Sequence, residues 1–352
     1  MGYELNRKLK DLVPYEPITG DYKIRLDANE SCFDFSEELK EKICRSISQI
    51  NFNRYPDCIA KKPVKAFSEL YNVPEELITA GNGSDELISI ITSCFFESGD
   101  TIVNVSHDFS MYGFYAQLYE VNVCTYQKEE ELTIDPDKLI EFCLENKAKG
   151  LIFSNPCNPT SLGLVKDDVR RIISSLEDCL VILDEAYMDF WDQSLLDEVS
   201  RYDNLIILKT CSKAIGMAAV RFGFAVSNRT ITNAIRAAKS PYNNDSVAQT
   251  IVADILSEKE YLKKCCDTII GNTKKLYEDI ILINEECSCF EKVYKPRTNF
   301  VFIKTEKFQE IYEYLLENSI AVRKFNGYLR ITAGSESENT KLIKTLRRYF
   351  SI

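Results

Sequence analysis

The middle of the chain alternates between short apolar runs and longer amphipathic stretches. Six runs of about five residues, most of them rich in Val, Ile, Leu or Phe, are bounded by polar residues or glycine. Such runs are typical of strands buried on both faces of a parallel sheet. The predicted strands are residues 101–105, 122–126, 150–154, 180–184, 205–209 and 222–226. Helical periodicity between several of them, clearest over 85–96 and 166–176, predicts an α/β sheet with right-handed crossovers.

The pattern changes after about residue 245. A long helical stretch with an interruption near Ser257 is followed by short strands and helices. Strands are predicted at 300–303, 321–323 and 329–332, and helices at 246–283, 307–318 and 338–349. The first 45 residues begin extended and contain one predicted helix, 36–47. We therefore predict a large domain over 46–245 and a small α+β domain formed by 1–45 and 246–352.

Composition excludes several classes of function. The 352 residues carry a net charge of −11, which disfavours nucleic acid as a partner. The sequence has no apolar run of the roughly 20 residues needed to cross a bilayer, and its charged start does not resemble a secretory signal. We expect a cytoplasmic protein. A single histidine excludes a multi-histidine metal centre, no metal is expected, and the 13 cysteines are expected to be reduced.

Two predicted strands lead into residues with suitable chemistry. Asp184 ends one strand, at the sheet edge where open α/β folds bind ligands, and Tyr187 follows it. An acid there suits the ring nitrogen of a pyridoxal, which it would keep protonated. Lys213 follows the next strand, and a desolvated amine in that position can condense with an aldehyde. Taken alone, Asp184 equally suits a turn cap and Lys213 a solvated surface lysine.

Other motifs add groups that suit an anion. Ser84 and Asp85 follow two glycines at the start of a predicted helix, where free N–H groups bind anions, although Ser84 also suits a simple N-cap. Asn158 lies in an Asn-Pro-Cys-Asn-Pro turn, and Arg330 in a small-domain strand could fork onto a carboxylate. The remaining candidate anion contacts are Thr210, Ser212, Arg221 and Arg323.

Together these segments resemble the fold-type-I pyridoxal-phosphate aminotransferases, and within them the histidinol-phosphate aminotransferase group. The resemblance covers nearly the whole chain in the same order. It is carried by Leu-Asp-Ala-Asn-Glu at 26–30, Asn-Arg-Tyr-Pro-Asp at 53–57, Gly-Asn-Gly-Ser-Asp-Glu at 81–86, Ser-Met-Tyr at 110–112, Asn-Pro-Cys-Asn-Pro-Thr at 155–160, Asp-Glu-Ala-Tyr at 184–187, Ser-Lys-Ala-Ile-Gly at 212–216, Arg221 and Leu-Arg-Ile-Thr at 329–332.

The resemblance implies roles for individual residues. Lys213 is the expected Schiff-base lysine and proton shuttle, and Asp184 the partner of the ring nitrogen. Tyr187 and Asn158 are expected to donate to the ring oxygen, and Tyr112 to stack on the ring. The cofactor phosphate is expected among Ser84, Asp85, Thr210, Ser212 and Arg221. A homodimer is implied, with Tyr55 reaching the neighbouring subunit's cofactor; the expected substrate contacts are Arg330, Arg323, Tyr15 and Asn29.

The implied activity is transamination between a small-molecule amino donor and a 2-oxo acid, with pyridoxal 5'-phosphate as cofactor. L-histidinol phosphate with 2-oxoglutarate, a pair of histidine biosynthesis, is the favoured pair. Departures from the group's pattern keep an aminotransferase of other specificity open, for aromatic or other phosphorylated amino acids. They include His107 in place of a proline and Ser161 in place of a glycine. A threonine-phosphate decarboxylase-like enzyme and a non-catalytic cofactor-binding regulator are the remaining alternatives.

Overall fold

The computed structural model describes residues 2–10, 12 and 18–352 of the chain. Its central feature is a seven-stranded sheet with the strand order β2-β8-β7-β6-β5-β3-β4. The strands are β2 (Ile78–Gly81), β3 (Thr101–Val105), β4 (Asn122–Tyr126), β5 (Gly150–Ser154), β6 (Leu180–Asp184), β7 (Leu205–Thr210) and β8 (Gly223–Ser227). All neighbouring pairs are parallel except the two that include β8, which runs antiparallel to both β7 and β2.

Helices cover both faces of this sheet, as expected for strands that are apolar on both sides. The helices up to residue 256 are α1 (Arg7–Lys10), α2 (Glu37–Ile47), α3 (Lys61–Tyr71), α4 (Gly83–Phe95), α5 (Met111–Leu118), α6 (Pro136–Glu145), α7 (Lys166–Ser175), α8 (Arg229–Ala238) and α9 (Ser246–Leu256). One face packs against α2, α3, α6, α7 and α9. The other face packs against α4, α5 and α8.

A second sheet and three helices form a smaller α+β unit. Its strand order is β1-β11-β12-β10-β9, with only the β1–β11 pair parallel. The elements are β1 (Ile24–Leu26), α10 (Lys259–Cys287), β9 (Lys292–Tyr294), β10 (Phe300–Lys304), α11 (Phe308–Glu317), β11 (Ile320–Phe325), β12 (Tyr328–Thr332) and α12 (Glu336–Phe350). One apolar core joins its strands to the three helices.

The architecture confirms the predicted fold class, and two strands of the large sheet differ from the sequence-based expectation. Strand β2 was not predicted, because its Ile-Thr-Ala-Gly sequence is too short and too weakly apolar to give a pattern. The last predicted strand lies one residue further along, as β8, and is antiparallel. The helical stretch after 245 is interrupted near Ser257, as predicted, and forms α9 and α10.

The N-terminal segment contributes to both units. Strand β1 pairs with β11 of the smaller sheet, whereas α2 packs with α3 and α9 on the core of the larger one. The domain limits at residues 45/46 and 245/246 therefore stay predictions. No helix in the described ranges combines the length and the apolar character needed to cross a membrane. All 13 cysteines are free thiols.

Candidate active site

The carboxyl ends of β6 and β7 bring the two principal candidates to one edge of the sheet. The strands are parallel neighbours, with Asp184 opposite Leu208 in the register. Asp184 ends β6, and Lys213 lies in the turn that follows β7. Because parallel strands end at the same edge, the predicted acid and amine face one region of the molecule.

Asp184 is a buried carboxylate that accepts two hydrogen bonds. The Tyr112 hydroxyl donates to Oδ2 at 2.8 Å, and the Ala186 N–H donates to Oδ1 at 3.0 Å. Burial raises the pKa of Asp184 to about 6, and the two hydrogen bonds oppose this rise. The carboxylate is therefore ionised at neutral pH but destabilised, which favours pairing with a cation.

Lys213 is a half-buried lysine with a depressed pKa. Its Nζ donates to the Ala28 carbonyl at 2.9 Å and lies 5.8 Å from the Tyr187 ring centroid. Burial, followed by the nearby Arg330 charge, lowers the pKa of Lys213 to about 8. In a substantial fraction of the molecules Lys213 is therefore a neutral amine near physiological pH, as a nucleophilic lysine requires.

The start of α4 and the turn after β7 form a compact cradle. Arg221 Nη1 donates to Ser212 Oγ at 3.3 Å and to the Ala218 carbonyl at 3.1 Å, and its Nη2 lies 3.8 Å from Asp85 Oδ2. A Cβ at Gly83 would lie 2.9 Å from Arg221 Nη2, and Gly83 has a φ of +84°. The guanidinium is thus close to the first N–H groups of α4, an arrangement that suits an anion.

Thr210 and Ser84 contribute to the cradle from its two sides, the turn after β7 and the start of α4. Thr210 Oγ1 is buried and accepts the Ser212 N–H at 3.1 Å, which shapes the turn after β7. Ser84 lies in the first turn of α4 rather than at its N-cap, which is Asn82, and the Asn82 side chain caps no N–H group. The prediction of Ser84 as the N-cap is therefore wrong. Because the Asn82 side chain makes no capping hydrogen bond, it leaves the first N–H groups of α4 available.

Tyr187 is held by the N-terminal segment. Asn29 Nδ2 donates to the Tyr187 hydroxyl at 2.9 Å, and Asn29 itself has a φ of +55°. Thr332 Oγ1 donates to Asn29 Oδ1 at 3.0 Å and accepts the Asn29 N–H at 3.1 Å, and Asn299 Nδ2 donates to the Asn29 carbonyl at 3.1 Å. Burial raises the pKa of Tyr187 to about 12, so its hydroxyl stays protonated.

Arg330 joins the two structural units. The buried guanidinium donates from Nη1 to Asn158 Oδ1 at 2.5 Å and from Nη2 to the Asp27 carbonyl at 2.6 Å. Its central carbon lies 5.4 Å from the Phe300 ring centroid. Arg330 thus lies beside the Asn-Pro-Cys-Asn-Pro turn, in reach of groups that the sequence placed near the cofactor ring.

Of the three remaining predicted residues, Tyr55 lies apart from this cluster, Arg323 adjoins it and Tyr15 is outside the described ranges. Tyr55 is 80% exposed and stacks on Tyr242, with ring centroids 4.6 Å apart. Arg323 lies on β11, opposite Arg330 in the strand register. Tyr15 falls outside the described residues.

The sequence did not identify several residues around the site. Asp108 accepts hydrogen bonds from the Ser154 N–H at 3.0 Å and from the Ser154 hydroxyl, and burial raises its pKa. Asn299 and Thr332 support Asn29 from strands β10 and β12 or their ends. Only contacts between distant segments reveal these residues, although a polar residue beside an apolar strand is a weak signal.

An amine and a carboxylate at neighbouring strand ends, beside an anion cradle, indicate an α/β enzyme. Residues 21–346 match the family model described as aminotransferase class I and II. The chain is 40% identical, over 99% of its length and 98% of the relative's, to a histidinol-phosphate aminotransferase of Clostridium novyi. This protein belongs to the aminotransferase class I and II family.

Solved structures agree on the fold. A histidinol-phosphate aminotransferase from Sinorhizobium meliloti, in complex with pyridoxal-5'-phosphate, aligns with a TM-score of 0.87 and 20% identity over 99% of this chain and 97% of that one. An L-threonine-O-3-phosphate decarboxylase from Porphyromonas gingivalis aligns with a TM-score of 0.79 and 20% identity, covering 94% of this chain and 100% of that one. At these identities the similarity establishes the fold alone, and the reaction has to be inferred from the residues of the site.

Proposed function

We propose that this protein is a pyridoxal 5'-phosphate-dependent aminotransferase that takes L-histidinol phosphate as amino donor and 2-oxoglutarate as acceptor. The observation that carries the proposal is the position of two groups at adjoining strand ends beside the Arg221 cradle: Lys213, with its pKa lowered to about 8, and the buried Asp184 carboxylate. The relative that is 40% identical over nearly the full length supports the donor.

The residues present fit the proposed cofactor. The Asp184 carboxylate, which burial destabilises, suits a protonated ring nitrogen, and the protonated Tyr187 hydroxyl and Asn158 suit the ring oxygen. Arg221 and the first turn of α4 suit the phosphate, and the missing Cβ at Gly83 leaves room for it. When bound, the cofactor supplies a reactive aldehyde and a ring that accepts the electron pair left when the donor loses its α-proton.

The chain's own groups have separate tasks in this reaction. Lys213 Nζ, unprotonated above its lowered pKa, accepts the α-proton of the amino donor. It can then give this proton to the carbon of the cofactor's aldehyde group. Asp184 keeps the opposite side of the site negative, and Asn29 keeps the Tyr187 hydroxyl in place. Arg330 presents a planar fork of donors, which suits the carboxylate of the 2-oxo acid.

The proposed assembly is a homodimer in the cytoplasm. Exposed aromatic and aliphatic side chains cluster in sequence around Tyr55, which is stacked on the half-exposed Tyr242. Phe52 and Ile59 are 73% and 48% exposed. Apolar side chains so exposed are typical of a surface that another chain covers. In this arrangement Tyr55 reaches the partner's cofactor, while Tyr15 and Arg323 help to hold the phosphate of the donor.

A panel of amino donors tests the substrate. Each donor is mixed with the cofactor-loaded protein, and formation of pyridoxamine phosphate is followed by absorbance. We expect histidinol phosphate to react fastest and 2-oxoglutarate to restore the starting spectrum. Brisk reaction with an unphosphorylated aromatic amino acid and none with histidinol phosphate would contradict the assignment. The decarboxylase with a similar fold makes one further control necessary, because release of carbon dioxide from O-phosphothreonine would identify a decarboxylase instead.

A further inference from the structure

A second set of polar side chains lies behind the strand ends, on the opposite face of the sheet from the Asp184 carboxylate. We call it the buried charge cluster; it consists of Tyr71, Glu185, Asp189, Ser194 and Lys209. Lys209 and Glu185 are 2% and 0% exposed. No task in the proposed reaction uses any member of this set.

The contacts of the cluster connect three segments of the chain. Lys209 Nζ on β7 lies 3.0 Å from Asp189 Oδ1, and the Tyr71 hydroxyl, at the end of α3, donates to the same oxygen at 2.8 Å. Glu185 accepts the Ser194 hydroxyl at 2.6 Å and the Leu195 N–H at 3.1 Å. Lys209 also lies 5.0 Å from the Tyr71 ring centroid.

Strand alternation explains why the cluster lies behind the site. Ile182 and Leu208 belong to the core on the α4 and α5 face, whereas Leu183 and Ile207 belong to the core on the α3 face. By the same alternation Asp184 faces the first side, and Glu185 and Lys209 face the second. The segment 184–190 therefore carries cofactor partners and cluster members in turn.

Buried charges at this position are costly, and apolar side chains would fill the space at least as well. The desolvation is severe, because burial raises the pKa of Glu185 to about 7 even though the Lys209 charge opposes the rise. A role in fixing local geometry would explain why charged groups occupy this position. Asp189 lies two residues after Tyr187, and Lys209 lies four residues before Lys213, so this ion pair joins the two segments that carry the site.

We propose that Lys209 and Asp189 are positioning residues, whose ion pair fixes segment 184–190 against β7 so that the Asp184 carboxylate and the Tyr187 hydroxyl keep their places around the cofactor. This inference rests on the proposed cofactor but not on the identity of the amino donor. It assigns no direct contact with substrate or cofactor to either residue.

The test separates geometry from stability by comparing single and paired substitutions. Lys209→Met leaves the partly buried Asp189 as an uncompensated charge, so we expect both thermal stability and pyridoxal-phosphate affinity to fall. In Lys209→Met/Asp189→Asn no uncompensated charge remains at the pair, and the new amide oxygen can still accept the Tyr71 hydroxyl. Glu185 loses the opposing Lys209 charge, so stability is compared below pH 7, where this carboxyl is protonated. We expect the cofactor-free double variant to regain most of its stability and yet to bind pyridoxal phosphate about 10-fold more weakly. The pH midpoint of the bound cofactor's absorbance change should also shift.

Two further measurements guard the interpretation. The control pair is Arg170 and Glu198, a partly buried ion pair between α7 and the segment 196–201, whose neutralisation in Arg170→Met/Glu198→Gln should leave cofactor affinity unchanged. Tyr71→Phe removes only one hydroxyl, and we expect it to weaken cofactor binding by a few-fold. It takes the place of the double variant in the test if the double variant does not fold. The proposal is overturned if the double variant has the same cofactor affinity and the same pH midpoint as the parent protein. If only Tyr71→Phe folds, the same result in that variant overturns it. Failure of the parent protein to bind pyridoxal phosphate would instead overturn the proposed function.

Discussion

Replacing Asp184 by Asn should stabilise the cofactor-free protein while removing its activity. Burial raises the pKa of Asp184 from an ordinary value of 3.8 to about 6, so the folded protein holds this proton more tightly than the unfolded chain does. The protonated acid therefore stabilises the folded protein. This stabilisation is fully present at a pH below the pKa of Asp184 in the unfolded chain, and it is lost as the pH rises through about 6, the pKa in the folded protein. A shift of about two units corresponds to about 3 kcal/mol of unfolding free energy at a pH above about 7.

An asparagine can keep both hydrogen bonds of the aspartate. Its Oδ1 can accept the Ala186 N–H, and its Nδ2 can donate to the Tyr112 hydroxyl, which then accepts. We therefore expect Asp184→Asn to gain up to about 3 kcal/mol in urea unfolding near pH 8, and almost nothing near pH 4. Asp192→Asn, at an exposed aspartate, is the control and should change little at either pH. An equal gain at both pH values, or none near pH 8, would refute the assignment of strain to this carboxylate.

Three other substitutions test separate parts of the site, and Gly99→Ala serves as a control for one of them. Gly83→Ala and Gly99→Ala both place a side chain at positive φ and should each cost about 1 kcal/mol of stability. Only Gly83→Ala should also weaken cofactor binding in a titration, because its Cβ would meet Arg221 at 2.9 Å whereas that of Gly99 meets nothing within 4 Å. Arg330→Lys keeps the charge but loses the fork, so kcat/KM for the 2-oxo acid should fall about 10- to 100-fold in steady-state kinetics. Asn29→Ala removes the donor to the Tyr187 hydroxyl and the acceptor of Thr332, and it places alanine at positive φ. It should lower kcat and cost about 2 kcal/mol in urea unfolding.

The strand order of the large sheet shows the limit of pattern-based prediction. Buried strands such as β5, β6 and β7 give continuous apolar runs, so their positions could be read from sequence. The direction of β8 could not, because an antiparallel strand buried on both faces gives the same run as a parallel one. Strand β2 gave no signal, since it is four residues long and includes threonine and glycine.

For the candidate site, the local sequence indicates the principal candidates more readily than the residues that they contact. Asp184 and Lys213 stand out because each follows an apolar run, and local order alone places them at the sheet edge. The hydrogen bond from Asn29 to Tyr187 joins residues 158 positions apart, and no local pattern contains that contact. Lys209 was visible as a charged residue within an apolar run, but its pairing with Asp189 depends on how the segment after β6 folds back.

Reductive trapping of the cofactor tests the central claim most directly. The protein is loaded with pyridoxal phosphate, reduced with borohydride and digested, and the modified peptide is mapped. We predict a single modified residue, Lys213, because its pKa is lowered and it follows β7, the strand next to the one that Asp184 ends, close to Arg221 and Asp85 of the cradle. Modification of Lys209, or of any lysine other than Lys213, would contradict the account.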